Sequence, residues 1–139
     1  MNDEKRPVLL CLDLEAGSET LAVIGAGFAK DLGEDLRILY VMPEKSRESE
    51  EDALGRLGGL IEKTLGGLDI IKTLEVRRGE VEGSIVEYMK EKGARIVILG
   101  HRHGARRERV YVGSTTRAII SLAPAPVLVV PIDSEKGSS

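Results

Sequence analysis

The chain has 139 residues, 42% hydrophobic and 31% charged, with a net charge of −3. That is enough for one domain with its own core, and too ordinary a mix for a disordered or fibrous protein. The acidic balance argues against general nucleic-acid binding, no apolar run approaches the ~20 residues that span a bilayer, and the polar residues 1–6 lack signal-peptide character, so a cytoplasmic protein without membrane contact is expected.

Two compositional details add to this. The single cysteine, Cys11, lies in an apolar run and reads as a buried small hydrophobe in a reducing compartment. Glutamine is absent and Asn2 is the only asparagine, while Glu, Lys and Arg abound. Few heat-labile amides and many charges predict a thermostable protein.

Residues 7–12 form a short, continuously apolar run closed by Asp13, as in a strand buried on both faces of a parallel sheet. Ser18 is a natural N-cap for a helix carrying Leu21, Ile24, Phe28 and Leu32 at helical spacing, ended by Gly33. Residues 36–42 give a second strand stopped by Pro43. An acidic stretch, 44–52, reads as a solvated face or loop, and a second helix follows with Leu54, Leu57, Leu60, Ile61 and Leu65 on its apolar side until Gly66-Gly67. Residues 70–76 alternate enough to suggest an edge strand. Gly79 turns the chain into a third helix with Val81, Ile85, Tyr88 and Met89, closed by Gly93. Residues 94–99 form a fourth strand ending at Gly100, 114–122 a fourth helix, and 127–130 a last strand ended by Pro131. Residues 1–6 and 133–139 are expected to be flexible, leaving one α/β domain over 7–132.

Alternating strands and helices imply a doubly wound parallel sheet with right-handed crossovers. Such sheets bind ligands at the carboxyl ends of their strands, where the strand order reverses. The first and fourth strands are the best central candidates, so Asp13, Gly100 and the Val41-Met42 end of the second strand should meet at one crevice. The basic loop at 101–112 then leads into Gly113-Ser114-Thr115-Thr116. Gly100 and Gly104 permit close backbone approach to an anion, and Gly113-Ser114 opens a helix whose free N–H groups favour phosphate. Arg102, Arg106, Arg107 and Arg109 either clamp phosphate or face solvent. His101-Arg102-His103 lacks the carboxylate or cysteine neighbours of a metal site and reads as solvated loop. Asp13 either reads a ligand or caps a turn.

Several of these segments resemble the universal stress protein family: residues 7–13, Arg78-Gly79-Glu80-Val81-Glu82, residues 93–100, and Gly113-Ser114-Thr115-Thr116-Arg117-Ala118 followed by residues 123–131. The resemblance spans residues 8–131. It implies a five-stranded sheet in the order 3-2-1-4-5, of the adenine nucleotide alpha hydrolase-like kind, and a role in stress response or signalling. Its nucleotide-binding branch carries Gly, two residues, Gly, nine residues, then Gly-Ser or Gly-Thr. Gly100 and Gly113-Ser114 keep the outer frame, whereas His103 stands at the second glycine and Gly104 comes one place late.

Carried over, the resemblance implies that Leu12, Asp13 and Val41 face adenine or ribose, Val41 mainly through its backbone. Leu99, Gly100, His103 and Gly104 would bracket ribose and phosphates, and Gly113, Ser114 and Thr115 would bind phosphate oxygens of ATP or AMP, with magnesium as a possible companion. It also implies a homodimer through Val127, Leu128, Val129 and Val130. An alternative is a dimeric interaction module of the same fold in which His103 prevents ATP binding.

No general base other than the histidines accompanies the loop, so at most weak ATPase activity is expected and no catalytic residue is assigned. An adenylate-forming enzyme would need a glycine- and serine-rich loop after the first strand, where 13–18 holds a single glycine. A receiver domain would end its third strand in Asp and its fifth in Lys, where this chain has Arg77-Arg78 and Pro131.

Overall fold

The computed structural model describes residues 6–103 and 114–133. Gly104, Gly113 and the basic residues between them, residues 1–5, and the tail 134–139 lie outside the described residues, as do the side chains of Arg102, His103 and Asp133. The elements run β1 (Val8–Leu12), α1 (Ser18–Leu32), β2 (Leu36–Met42), α2 (Glu50–Leu65), β3 (Lys72–Arg78), α3 (Val81–Lys92), β4 (Ile96–His103), α4 (Ser114–Leu122) and β5 (Val127–Asp133). All pairings are parallel, in the order β3-β2-β1-β4-β5. This is the doubly wound five-stranded α/β sheet the alternating pattern and the resemblance imply.

Both faces of the central strands are buried, which explains their unbroken apolar runs. Val8, Leu10 and Leu12 pack with α1 and α2 residues such as Ala26 and Leu57 in one core. Leu9 and Leu39 pack with Ile85, Tyr88, Met89 and Ile119 of α3 and α4 in the other. Gly33 and Gly93 close α1 and α3 in the left-handed conformation, as expected.

Helix α1 departs from the expected stripe. Its buried face is Leu21, Ala22, Gly25, Ala26 and Ala29, while Phe28 and Leu32 are each 37% exposed. Small residues let the helix ride close on β1: a Cβ at Gly25 would come within 3.1 Å of Leu10 Cδ2. Periodicity of large apolar residues therefore finds the buried side at Leu21 and misses it at Phe28 and Leu32. Nor is Ser18 the N-cap. Gly17 holds that place at φ 94°, with no side-chain cap, and Ser18 begins the helix. In α2 the buried side is Ala53, Leu57, Ile61 and Leu65, and Leu54 is exposed.

Two strand ends also move. Strand β3 starts two residues later than the sequence suggests, because pairing with Leu36–Met42 sets its register and the exposed Ile71 belongs to the preceding turn. Strand β4 continues three residues past Gly100, because β5 runs on through Pro131 and supplies partners as far as His103↔Asp133.

Candidate functional site

Strand β1 is the shortest and lies in the middle. It pairs with β4 only from Val8↔Ile96 to Leu10↔Ile98. Beyond that point the two strands part, β1 staying with β2 to Leu12↔Tyr40 and β4 with β5. The split falls where the strand order reverses, so the carboxyl edge opens at the place doubly wound sheets use for ligands.

A cavity of about 250 Å³ fills the opening. The residues just past the split line it: Cys11, Leu12 and Asp13 from β1 and its end, Leu99 and Gly100 from β4. Leu39 and Val41 of β2, Val81 and Ile85 of α3, and Ile119 of α4 make an apolar wall. Ser18 and Leu21 of α1, Thr115 and Thr116 of α4, and Ile132 of β5 complete it. A mainly apolar hollow with a few polar groups is the usual build of a small-molecule site.

The Asp13 turn shows the capping role, one of the two the sequence left open. Its Oδ1 accepts a hydrogen bond from the Glu15 N–H at 2.9 Å and from the Ser18 hydroxyl at 3.4 Å. The carboxylate therefore shapes the turn, while the exposed side chain also borders the cavity. Leu14 at φ 62° and Gly17 at φ 94° complete the tight return into α1.

Of the residues singled out from sequence, Leu12, Asp13, Val41, Leu99, Gly100 and Thr115 meet at this cavity. Ser114 starts α4 but is exposed and outside the lining. Gly104 and Gly113 lie outside the described residues, and for His103 only its place at the end of β4 is described.

His101 corrects the expectation of a solvated loop residue. It is 6% exposed, because β4 carries it inward beyond Gly100. Cys11 borders the cavity and is half-buried rather than fully buried as expected, and desolvation keeps its thiol protonated, well above the ordinary thiol range. Among the described residues no group of three or more His, Cys, Asp or Glu could hold a metal ion, and no helix there is long and apolar enough to cross a membrane.

Sequence reasoning missed Ser18 and Ile132. From sequence Ser18 reads as a cap, whereas it lines the cavity. Ile132 follows Pro131, which was expected to end the strand, and only continued alternation from Val130 signals it.

The neighbouring connection after β2 is held from outside by Arg78. Its guanidinium donates to the carbonyls of Ser46 and Glu48 at 2.7 Å each and of Glu44 at 3.4 Å, and to the Glu50 carboxylate at 3.1 and 3.2 Å. The acidic stretch expected as a free loop thus has a pinned backbone.

A model of the universal stress protein family matches residues 5–131. The chain belongs to that family. Among solved structures, a universal stress protein from Archaeoglobus fulgidus is 23% identical, with a TM-score of 0.69 over 91% of this chain and 99% of the other. A second structure from Archaeoglobus fulgidus, in complex with dAMP, is also 23% identical, with a TM-score of 0.62 over 90% of this chain and 97% of the other. A universal stress protein in complex with cAMP is 14% identical, with a TM-score of 0.68 over 90% and 96%. These likenesses bear on the fold. A search of curated proteins gives no match. The parting of β1 and β4 is thus found in a universal stress protein whose glycine motif keeps Gly100 and Gly113 but has His103 between them.

Proposed function

We propose that this universal stress protein binds an adenine nucleotide, ATP or AMP, in the cavity between β1 and β4, and serves stress response or signalling with little or no hydrolysis. The observation that carries the reading is the cavity itself: it opens at the strand-order reversal and gathers Asp13, Val41, Gly100 and Thr115. The dAMP and cAMP complexes of proteins with this fold favour the same ligand class. In this reading the apolar wall takes the base, Asp13 the ribose, and Gly104, Gly113 and Ser114 the phosphates, with magnesium as companion.

A homodimer is part of the proposal. Strand β5 is a sheet edge, and α4, which leads into it, leaves Ile120 and Leu122 exposed at 47% and 59%. Exposed apolar edges call for cover, which a second copy on Val127, Leu128, Val129 and Val130 supplies. A cytoplasmic, thermostable protein completes the picture. Charge networks such as Arg56–Glu48 and Arg77–Glu75 and Arg77–Glu91 favour heat stability.

Titration calorimetry with ATP and with AMP, with and without magnesium, tests the binding. Affinity in the micromolar range that is lost in Gly113→Val supports it. Absence of binding at millimolar nucleotide overturns it and leaves the interaction-module reading, in which His103 blocks the loop and only the dimer functions.

A further inference from the structure

Gly100 invites a reading as a phosphate-binding glycine, but the space its side chain would occupy is taken. A Cβ there would come within 2.9 Å of Ile132 Cδ1 and 3.1 Å of Leu21 Cδ2. The residue does not figure among the glycines of positive φ, so backbone conformation is not what demands glycine. The crowding atoms belong to the protein, at the ends of two side chains. The same Ile132 side chain lies against Gly17, where a Cβ would come within 3.0 Å of Cδ1 and 3.2 Å of Cβ. Ile132 is 7% exposed and borders the cavity with Gly100, Leu21 and Ser18.

We infer that Ile132 is a positioning residue of the ligand cavity: from the edge strand β5 it wedges between Gly100 of β4 and the Gly17 start of α1, and glycine stands at 100 to admit this side chain. The wedge fixes the distance between the two walls of the split, and with it the placing of Asp13 and Ser18 opposite Gly100. The state of β5 is thereby felt in the cavity. The inference rests on the nucleotide reading for its effect on affinity, though not for the wedge itself.

A compensating pair tests it. Ile132→Val removes Cδ1, the atom nearest the added Cβ, leaving Cγ1 at an ordinary 3.6 Å. Gly100→Ala alone should weaken ATP and AMP binding at least about fivefold and lower Tm. Gly100→Ala with Ile132→Val should recover most of the loss in both Kd and Tm, since the closest contact is gone and only the Leu21 methyl at 3.1 Å has to give. Recovery of Tm without recovery of Kd means that the ligand itself needs Gly100, which overturns the inference. An unchanged Kd and Tm in Gly100→Ala also overturns it. Should the wild-type chain bind no nucleotide, the function proposed above fails separately, and the Tm values decide the wedge: a pair less destabilised than the sum of its singles supports it, and additive losses refute it.

Discussion

Two connections at the carboxyl edge of the sheet are of opposite construction. The one after β2, residues 43–49, is held by a polar clamp: Arg78 gathers three carbonyls and a carboxylate. The one after β1, residues 13–17, is held by its own Asx turn at Asp13, two residues of positive φ and the Ile132 wedge. The clamp depends on charge and remains partly exposed. The wedge depends on close packing. Removing an apolar wedge leaves a void, whereas removing a clamp exposes carbonyls that solvent can satisfy. The carboxyl edge of the sheet is thus expected to be stiff after β1 and adjustable after β2.

Ile132→Ala is the largest expected break. Truncating a buried isoleucine costs about 2–5 kcal/mol, the upper part where neighbours cannot collapse into the space. Two backbone walls at Gly17 and Gly100 favour that upper part, and denaturant unfolding measures it. A loss below about 1 kcal/mol would mean the walls close in and the wedge is not a spacer.

Gly17→Ala comes next. A left-handed conformation costs an L-residue roughly 1–2 kcal/mol, and the new methyl also meets Ile132. Combined with Ile132→Val, the cost should fall by the Cδ1 contact, while the contact with the Cβ of residue 132 at 3.2 Å and the conformational part remain, a difference that unfolding measurements on the three variants resolve.

Arg78→Met should act locally. Faster amide exchange across residues 43–50 with a smaller Tm loss than Ile132→Ala is expected. The effect is pH-dependent in one part only. The hydrogen bond from Arg78 holds the Glu50 carboxyl below its usual range, and that from Arg56 does the same for Glu48. A depressed carboxylate contributes stability above its unfolded pKa and loses it as pH falls through the folded one. The Tm gap between wild type and Arg78→Met should therefore narrow below the ordinary carboxylate range. It should not vanish, because the carbonyl bonds to Arg78 survive acid. A gap that disappears at low pH would assign the clamp to the carboxylate alone.

The smallest effect is expected from Lys63→Met. Its pair with Glu19 joins α2 to α1 at 3.0 Å, but the side chains are 74% and 54% exposed. Such pairs contribute under about 1 kcal/mol and weaken with salt. A larger loss, insensitive to salt, would show that helix α1 is positioned by charge as well as by its small-residue face.

Much of this was legible in the chain. Continuous apolar runs at β1, β2 and β4 separated by helical stretches specify a parallel sheet covered on both sides, because only strands buried on two faces dispense with alternation. The bounds of β2 and α4 follow from the sequence to the residue. Asp13, Val41 and Gly100 could be placed at one crevice in advance because the strand ends are punctuated by Asp, Pro or Gly, and Thr115 because a Gly-Ser pair opens its helix. Other elements were not legible. The buried face of α1 is written in Ala and Gly, which carry almost no hydropathy signal. Pro131 looked like a stop, yet an edge strand tolerates a residue without an N–H when that side faces away from its partner.

Local chemistry by itself determined the elements, their order and the residues at the carboxyl edge. Tertiary structure alone decided where β1 and β4 part, how far β4 runs past Gly100, and which side chain occupies the space over that glycine. Those are pairing and packing outcomes. They depend on the length of β5 and on Ile132, far along the chain from Gly17, and no local pattern encodes a contact between residues so separated.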